Sequence, residues 1–257
     1  MPARIGIAGI TGRMGHLLAE EVRAAGAELV GGVGRVGSGK PAPAAVALLP
    51  DLAALAGACE VVIDFTNAAT VQPTAAVLAA AGTAWVLGSS GLSDADEAAV
   101  AEAARRIPVV YASNFSAGVN LVLALAERMG AALPADAYDA EIVEMHHRQK
   151  VDAPSGTALL LARAAAEGRG GTLEELSRYD RMAANAPRDA GTIGYASLRG
   201  GSVAGDHMVV FAGDNERIEL GHRAENRGIF AQGAVKAAQW LVGQPAGRYA
   251  MTDVLGL

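Results

Sequence analysis

The sequence predicts an α/β fold in two parts, on three features of the chain. Short apolar runs alternate with alanine-rich helical patterns from Ile5 to Ala112, as in a doubly wound parallel sheet. The first of these runs opens onto a glycine-spaced turn. After Asn114 the pattern changes to a long apolar helix, a basic cluster and three alternating runs separated by Gly and Asp, as in an antiparallel sheet. The expected organisation is a Rossmann-like domain of residues 1–113 completed by 228–257, and a smaller α+β domain of residues 114–227.

Ile5 to Ala8 is a short apolar run bounded by glycine, suited to a buried parallel strand. Gly9, Gly12 and Gly15 follow, and Leu17, Leu18 and Val22 carry the helix pattern beyond them. Glycines at this place let the backbone turn tightly and approach a pyrophosphate, which sits on the free N–H groups of a helix N-terminus. The spacing is G-x-x-G-x-x-G, and its meaning comes from the order strand, turn, helix. The second strand, Glu28 to Val33, ends without the carboxylate that usually grips the ribose hydroxyls. Arg35 stands there instead, with Ser38 and Lys40 nearby. A guanidinium holds a 2′-phosphate bidentately, so this tip favours NADPH over NADH; a solvated loop arginine is the alternative.

Further strands are expected at Val61–Phe65, Ala84–Leu87 and Pro108–Ala112, with helices over Ala68–Ala81 and Asp94–Arg106. Ser93 is placed to cap the last of these. In a doubly wound sheet ligands collect at the carboxyl ends of the strands. The polar tips Asp64-Phe65-Thr66-Asn67, Gly88-Ser89-Ser90 and Ser113-Asn114-Phe115 therefore line the expected cofactor groove.

A helix pattern from Val119 to Leu133 leads to a strand at Ala140–Glu144 and then to the stretch Glu144 to Ala158. Two histidines, an arginine and a lysine crowd into five positions there, His146 to Lys150, followed by Ser155-Gly156-Thr157 at the start of another helix. Such a cluster binds a polyanionic small molecule and supplies a proton. Plain anion binding, a structural histidine pair or a solvated basic face remain open on these residues alone. Ser177 to Arg188 reads as a loop or mobile lid, and Ile193–Leu198, His207–Phe211 and Arg217–His222 as the antiparallel runs. The helix pattern Phe230–Leu241 has an alanine-rich face suited to the first domain.

Composition excludes several classes. Hydrophobic residues make up 51% of the 257, which rules against a disordered chain. A net charge of −6 argues against a general nucleic-acid binder, whose footprint is basic. The single Cys59 excludes an intramolecular disulfide and a cysteine-based zinc site, and reads as a packing residue; no metal is expected. No signal peptide or bilayer-length apolar run is evident, so the expected location is cytoplasmic, with no membrane partner.

The motifs Gly9-Ile10-Thr11-Gly12-Arg13-Met14-Gly15, Asp64-Phe65-Thr66, Gly88-Ser89-Ser90-Gly91, Asn114-Phe115-Ser116-Ala117-Gly118-Val119-Asn120 and His146 to Ala158 occur in this order. Together they resemble the 4-hydroxy-tetrahydrodipicolinate reductase family, once called dihydrodipicolinate reductase, along almost the whole chain. The block from Glu144 to Ala158 is the specific part. The resemblance implies reduction of a cyclic dicarboxylate by a nicotinamide cofactor, with loss of water, on the diaminopimelate–lysine route. NADPH is the expected donor, with NADH possible. By the same resemblance His146 and Lys150 are the catalytic pair, and His147, Ser155, Gly156 and Thr157 contact substrate. The cofactor would meet Gly9, Ile10, Thr11, Gly12, Arg13, Met14, Arg35, Gly88, Ser89, Ser90, Ala112, Ser113, Asn114 and Phe115. The second domain would bind substrate and assemble the chain as a homotetramer.

Two departures from the family pattern stand out. Gly34 occupies the place of the usual acidic residue, and Gln149 that of a frequent third histidine. His207 and His222 read as structural, His16 as a surface or cofactor-adjacent residue, Trp85 and Trp240 as core, and Arg227 as a hinge or groove contact. Two competing functions stay open: a dehydrogenase of similar layout acting on an amino or aldehyde acid, and a dinucleotide-sensing module without turnover.

Overall fold

The computed structural model describes residues 1–34, 39–181 and 186–257, and these divide into two compact units. The first takes Met1–Ala117 and Gly228–Gly256; the second takes Gly118–Arg227 and Leu257.

In the first unit, β1 (Arg4–Ala8), α1 (Arg13–Ala24), β2 (Glu28–Val33), α2 (Leu52–Ala58), β3 (Val61–Asp64), α3 (Val71–Ala81), β4 (Ala84–Leu87), α4 (Asp94–Ala104) and β5 (Pro108–Tyr111) follow in strict alternation. The strands are short and apolar because both faces of the sheet are covered. Ile5, Ile7, Val61, Ile63 and Val86 enter one core layer, while Ala8, Val62, Trp85, Leu87 and Val109 enter the other. Capping is local and chemical: the Ser93 hydroxyl accepts from the Asp96 N–H, and Asp96 returns the bond to the Ser93 N–H. Asp51 caps α2 in the same manner through the Ala54 N–H.

The second unit contains most of α5 (Ala117–Ala132), then β6 (Asp139–His146), α6 (Gly156–Gly168), α7 (Leu173–Leu176), β7 (Ser177–Arg178), β8 (Ile193–Arg199), β9 (Asp206–Ala212) and β10 (Arg217–Arg223). The chain then returns to the first unit with α8 (Gly228–Leu241), β11 (Gly247–Tyr249) and α9 (Met251–Leu255). Ala231, Ala234, Val235, Ala238 and Leu241 of α8 are buried in the layer that α1 shares.

Among the described residues the first sheet runs β11-β5-β4-β3-β1-β2, every pair parallel. The strand order reverses between β1 and β3, which makes their carboxyl ends the topological switch point where such sheets bind ligands. The second sheet runs β10-β9-β6-β8-β7. Its inner face carries Ala140, Ile142, Val209 and Phe211 against α5 and α6.

Two sequence expectations need correction. The run Ile193–Leu198 is not part of an antiparallel set: β8 lies parallel to β6, whereas β9 runs antiparallel to both β6 and β10. The segment from Ser177 is not simply a loop or lid. Ser177–Arg178 is an edge strand parallel to β8, Tyr179 stacks on Tyr195 at 4.8 Å, and Arg188 pairs with Asp139 at 2.7 Å and Glu141 at 3.0 Å. Those side chains tie the described ends of the segment to the sheet.

Candidate active site

The glycine turn sits at the switch point. Gly9 follows β1 with φ +81, a left-handed conformation that favours glycine, and its N–H donates to the Val33 carbonyl. A Cβ on Gly15 would lie 2.4 Å from the carbonyl oxygens of Gly9 and Ile10, so the helix can meet the turn this closely only with glycine there. Gly12 is the N-cap of α1 and supplies no side-chain cap to its first N–H groups. Such an uncapped N-terminus beside a tight turn suits a pyrophosphate. Across the switch point, Asp64 ends β3, and its Oδ1 accepts from the Thr66 N–H and hydroxyl at 3.0 and 2.6 Å. Burial pushes the Asp64 carboxyl above its usual range.

Other predicted cofactor residues divide by exposure. Thr11, Arg13, Met14, Gly88, Ser90, Ala112, Ser113 and Asn114 are exposed or half-buried at strand ends and the turn. Ile10, Ser89 and Phe115 are buried. Arg35, with Ser38, lies outside the described residues.

The basic cluster is built at the carboxyl end of β6. Residues two apart on a strand share a face, so Glu144 and His146 both point inward, and His147 follows just beyond the strand end, half-buried. His146 Nδ1 is 2.6 Å from Glu144 Oε2. Arg199, which pairs with His146 across β6 and β8, clamps Glu144 with two bonds of 2.9 and 2.8 Å. Burial raises the Glu144 carboxyl, but its bonds to Arg199, Ser197 and His146 outweigh that and hold it below the usual carboxylate range. Burial depresses the His146 imidazole, and the charges of Lys150 and Arg199 add to this against the opposing Glu144.

The loop after β6 is held by backbone bonds from His147 N–H to Val203 and from Arg148 N–H to Gly201. Lys150 Nζ lies 2.9 Å from Asp152, whose carboxyl it holds below the ordinary range. The Ala153–Pro154 peptide is cis. Ser155 then caps α6: its hydroxyl accepts from the Ala158 N–H at 3.2 Å and meets His207 Nε2 at 3.1 Å, while its own N–H donates to Glu144 at 3.3 Å. Ser155 is buried and thus committed to the helix start; Gly156 is exposed and Thr157 half-buried beside it.

His146, His147, Lys150 and the Ser155-Gly156-Thr157 turn thus gather at one end of the second sheet. Sequence reasoning gave no role to Glu144, Arg199 or Asp152, and took His207 as structural. His207 stands beside the cluster, edge-on to His146 at 5.0 Å between ring centroids, a packing role consistent with that reading. The signal for Glu144 was present, since it stands two residues before His146 in a strand. Arg199 gave none, being 55 residues distant. His16 lies near the Pro41 carbonyl, Trp85 is fully buried, and Trp240 packs edge-on to Tyr249. Arg227 is exposed. Among the described residues no group of His, Cys, Asp and Glu could hold a metal ion, and no helix is long and apolar enough to cross a membrane.

A parallel sheet with a glycine turn at its switch point is the arrangement of a nicotinamide-dependent oxidoreductase. Residues 3–115 match the family model of the dihydrodipicolinate reductase N-terminus, and residues 118–255 that of its C-terminus. The 4-hydroxy-tetrahydrodipicolinate reductase of Granulibacter bethesdensis is 58% identical, covering 99% of this chain and 97% of that one. That of Acidiphilium cryptum is 57% identical, covering 99% and 98%. The dipicolinate-bound dihydrodipicolinate reductase from Paenisporosarcina sp. TG-14 shares the fold with a TM-score of 0.82 at 24% identity, covering 98% of this chain and 99% of that one. The chain belongs to the dihydrodipicolinate reductase family. It is an NAD(P)H-dependent oxidoreductase of diaminopimelate and lysine biosynthesis.

Proposed function

We propose that the chain reduces 4-hydroxy-tetrahydrodipicolinate to tetrahydrodipicolinate with NADPH as the preferred donor, and that His146 and Lys150 carry the proton chemistry. The observation that carries this is the meeting of His146, Lys150 and the start of α6 at one sheet end, within a chain of this family. A bound reduced nicotinamide supplies the hydride. Gly9, Gly12 and the first N–H groups of α1 would hold its pyrophosphate, with backbone at Gly88–Ser90 and Ala112–Phe115 along the groove. Arg35 would hold a 2′-phosphate and so set the preference for NADPH.

The other residues act on the dicarboxylate. His147 and the Gly156–Thr157 N-terminus receive its carboxylates, with Ser155 forming the turn beneath them. One hydride and one proton enter, and the ring hydroxyl leaves as water. The Lys150 ammonium and the His146 imidazole are the groups suited to that proton. The first unit would then be the dinucleotide-binding domain, and the second the domain for substrate and assembly. The outer face of the second sheet carries an apolar strip of Val143, Met145, Ala196, Leu198, Met208 and Val210 among charged neighbours such as Glu141, Asp206 and Glu219, a mixed surface suited to assembly as a homotetramer. A cytoplasmic location completes the proposal.

The test is oxidation of reduced cofactor with freshly generated 4-hydroxy-tetrahydrodipicolinate, NADPH and NADH in parallel. Rapid turnover with an NADPH preference is expected. Equal use of both would remove the role of Arg35, and no turnover from folded, cofactor-binding protein would remove the substrate. Binding of pyridine-2,6-dicarboxylate in the presence of reduced cofactor separates this function from a dinucleotide sensor, which would not bind it.

A further inference from the structure

We propose, resting on the catalytic reading of His146 above, that Glu144 is a positioning residue: clamped by Arg199, it keeps the hydrogen of His146 on Nδ1 and leaves Nε2 as the nitrogen turned to the substrate. Glu144 is out of solvent, with 1% of its side chain exposed. Its two oxygens are fully engaged, Oε1 by Arg199 and the Ser155 N–H, Oε2 by Arg199 and His146. Arg199 cannot lose its charge, and a bidentate guanidinium pair keeps a carboxylate ionised. An ionised carboxylate only accepts hydrogen bonds. The imidazole nitrogen 2.6 Å away must therefore carry a hydrogen.

The opposite nitrogen is kept clear by backbone. A Cβ on Gly205 would lie 3.0 Å from His146 Nε2 and 3.4 Å from His207 Cε1, so any side chain there would crowd Nε2. His207 meets the ring edge-on at 73° and limits its rotation. The same carboxylate thus ties three chain segments together: β6 through His146, β8 through Arg199, and the start of α6 through the Ser155 N–H. Partners of this kind orient a working histidine, and their loss costs function without touching substrate.

Nitrogen-15 NMR of the histidine-labelled full chain tests the tautomer directly, with the His146 signals assigned by comparison with His146→Gln. Nδ1 should be protonated, in a neutral ring or an imidazolium; a bare Nδ1 with hydrogen on Nε2 alone would overturn the proposal. In kinetics, Glu144→Gln should lower kcat about 10- to 100-fold, with the dicarboxylate KM and NADPH affinity little changed. In a His146→Gln background the same change should cost almost nothing further, because Glu144 acts through His146. An equal loss in both backgrounds would make Glu144 merely structural and sink the idea. Should Glu144→Gln fail to fold with Arg199 left unpaired, Glu144→Gln/Arg199→Gln removes the orphaned cation, and the wild-type spectrum decides alone. If His146→Gln itself keeps full turnover, the catalytic reading fails, an outcome distinct from a failure of Glu144 alone.

Discussion

Lys150 is already paired in the structure, its ammonium 2.9 Å from the Asp152 carboxylate. On the function proposed above, a dicarboxylate entering the cluster would compete with Asp152 for that cation. Lys150→Ala and His146→Ala should each lower kcat by about 10²- to 10⁴-fold, the usual range for loss of proton transfer, while NADPH affinity measured by fluorescence titration stays near wild type. His207 makes a separate contribution, to stability. Burial holds its imidazole down at about 4, against an ordinary value of 6.5. The unfolded chain therefore takes up the proton first. Stability linked to His207 is complete above about 6.5 and is lost as the pH falls toward about 4. Urea midpoints between pH 7 and pH 4.5 should fall more steeply for the wild type than for His207→Asn; equal slopes would mean that His207 does not drive the loss.

Helix starts were legible because their chemistry is local. Ser93 announces α4 from three residues away, and Ser93→Ala should cost about 1 kcal/mol in urea unfolding through loss of the capping box. The turn into α1 was legible for the same reason, and Gly15→Ala should abolish dinucleotide binding, since its methyl would strike two carbonyl oxygens at 2.4 Å; retained binding by calorimetry would show that the turn can yield. The direction of β8 was not legible. A half-buried strand alternates polar and apolar residues whichever way its neighbour runs, so the pattern fixes a face and not a partner. The seven-residue α2 and three-residue β11 are too short for a periodic signal. In the site, the contiguous stretch from Glu144 to Ala158 could be read, but the clamp on Glu144 could not, because only the fold brings Arg199 across from β8.

At the scale of the molecule, two stretches of chain build the first unit and one continuous stretch builds most of the second. The alanine face of α8 closes the layer over Ile5, Ile7 and Ile63. A chain ended at Arg227 would leave that layer open to water and should fail to give a cooperative thermal transition for the first unit; an unchanged transition would show that α8, β11 and α9 are dispensable.

That division of the chain also sets an order of events during synthesis. A ribosome releases residues one after another at about 5–20 per second, so every strand of the second sheet emerges before the first residue of α8. The second unit can close while translation continues, whereas the first must wait with one apolar layer covered only in part, by α1. Over that interval Ile5, Ile7 and Ile63 are the surface that a chaperone would find.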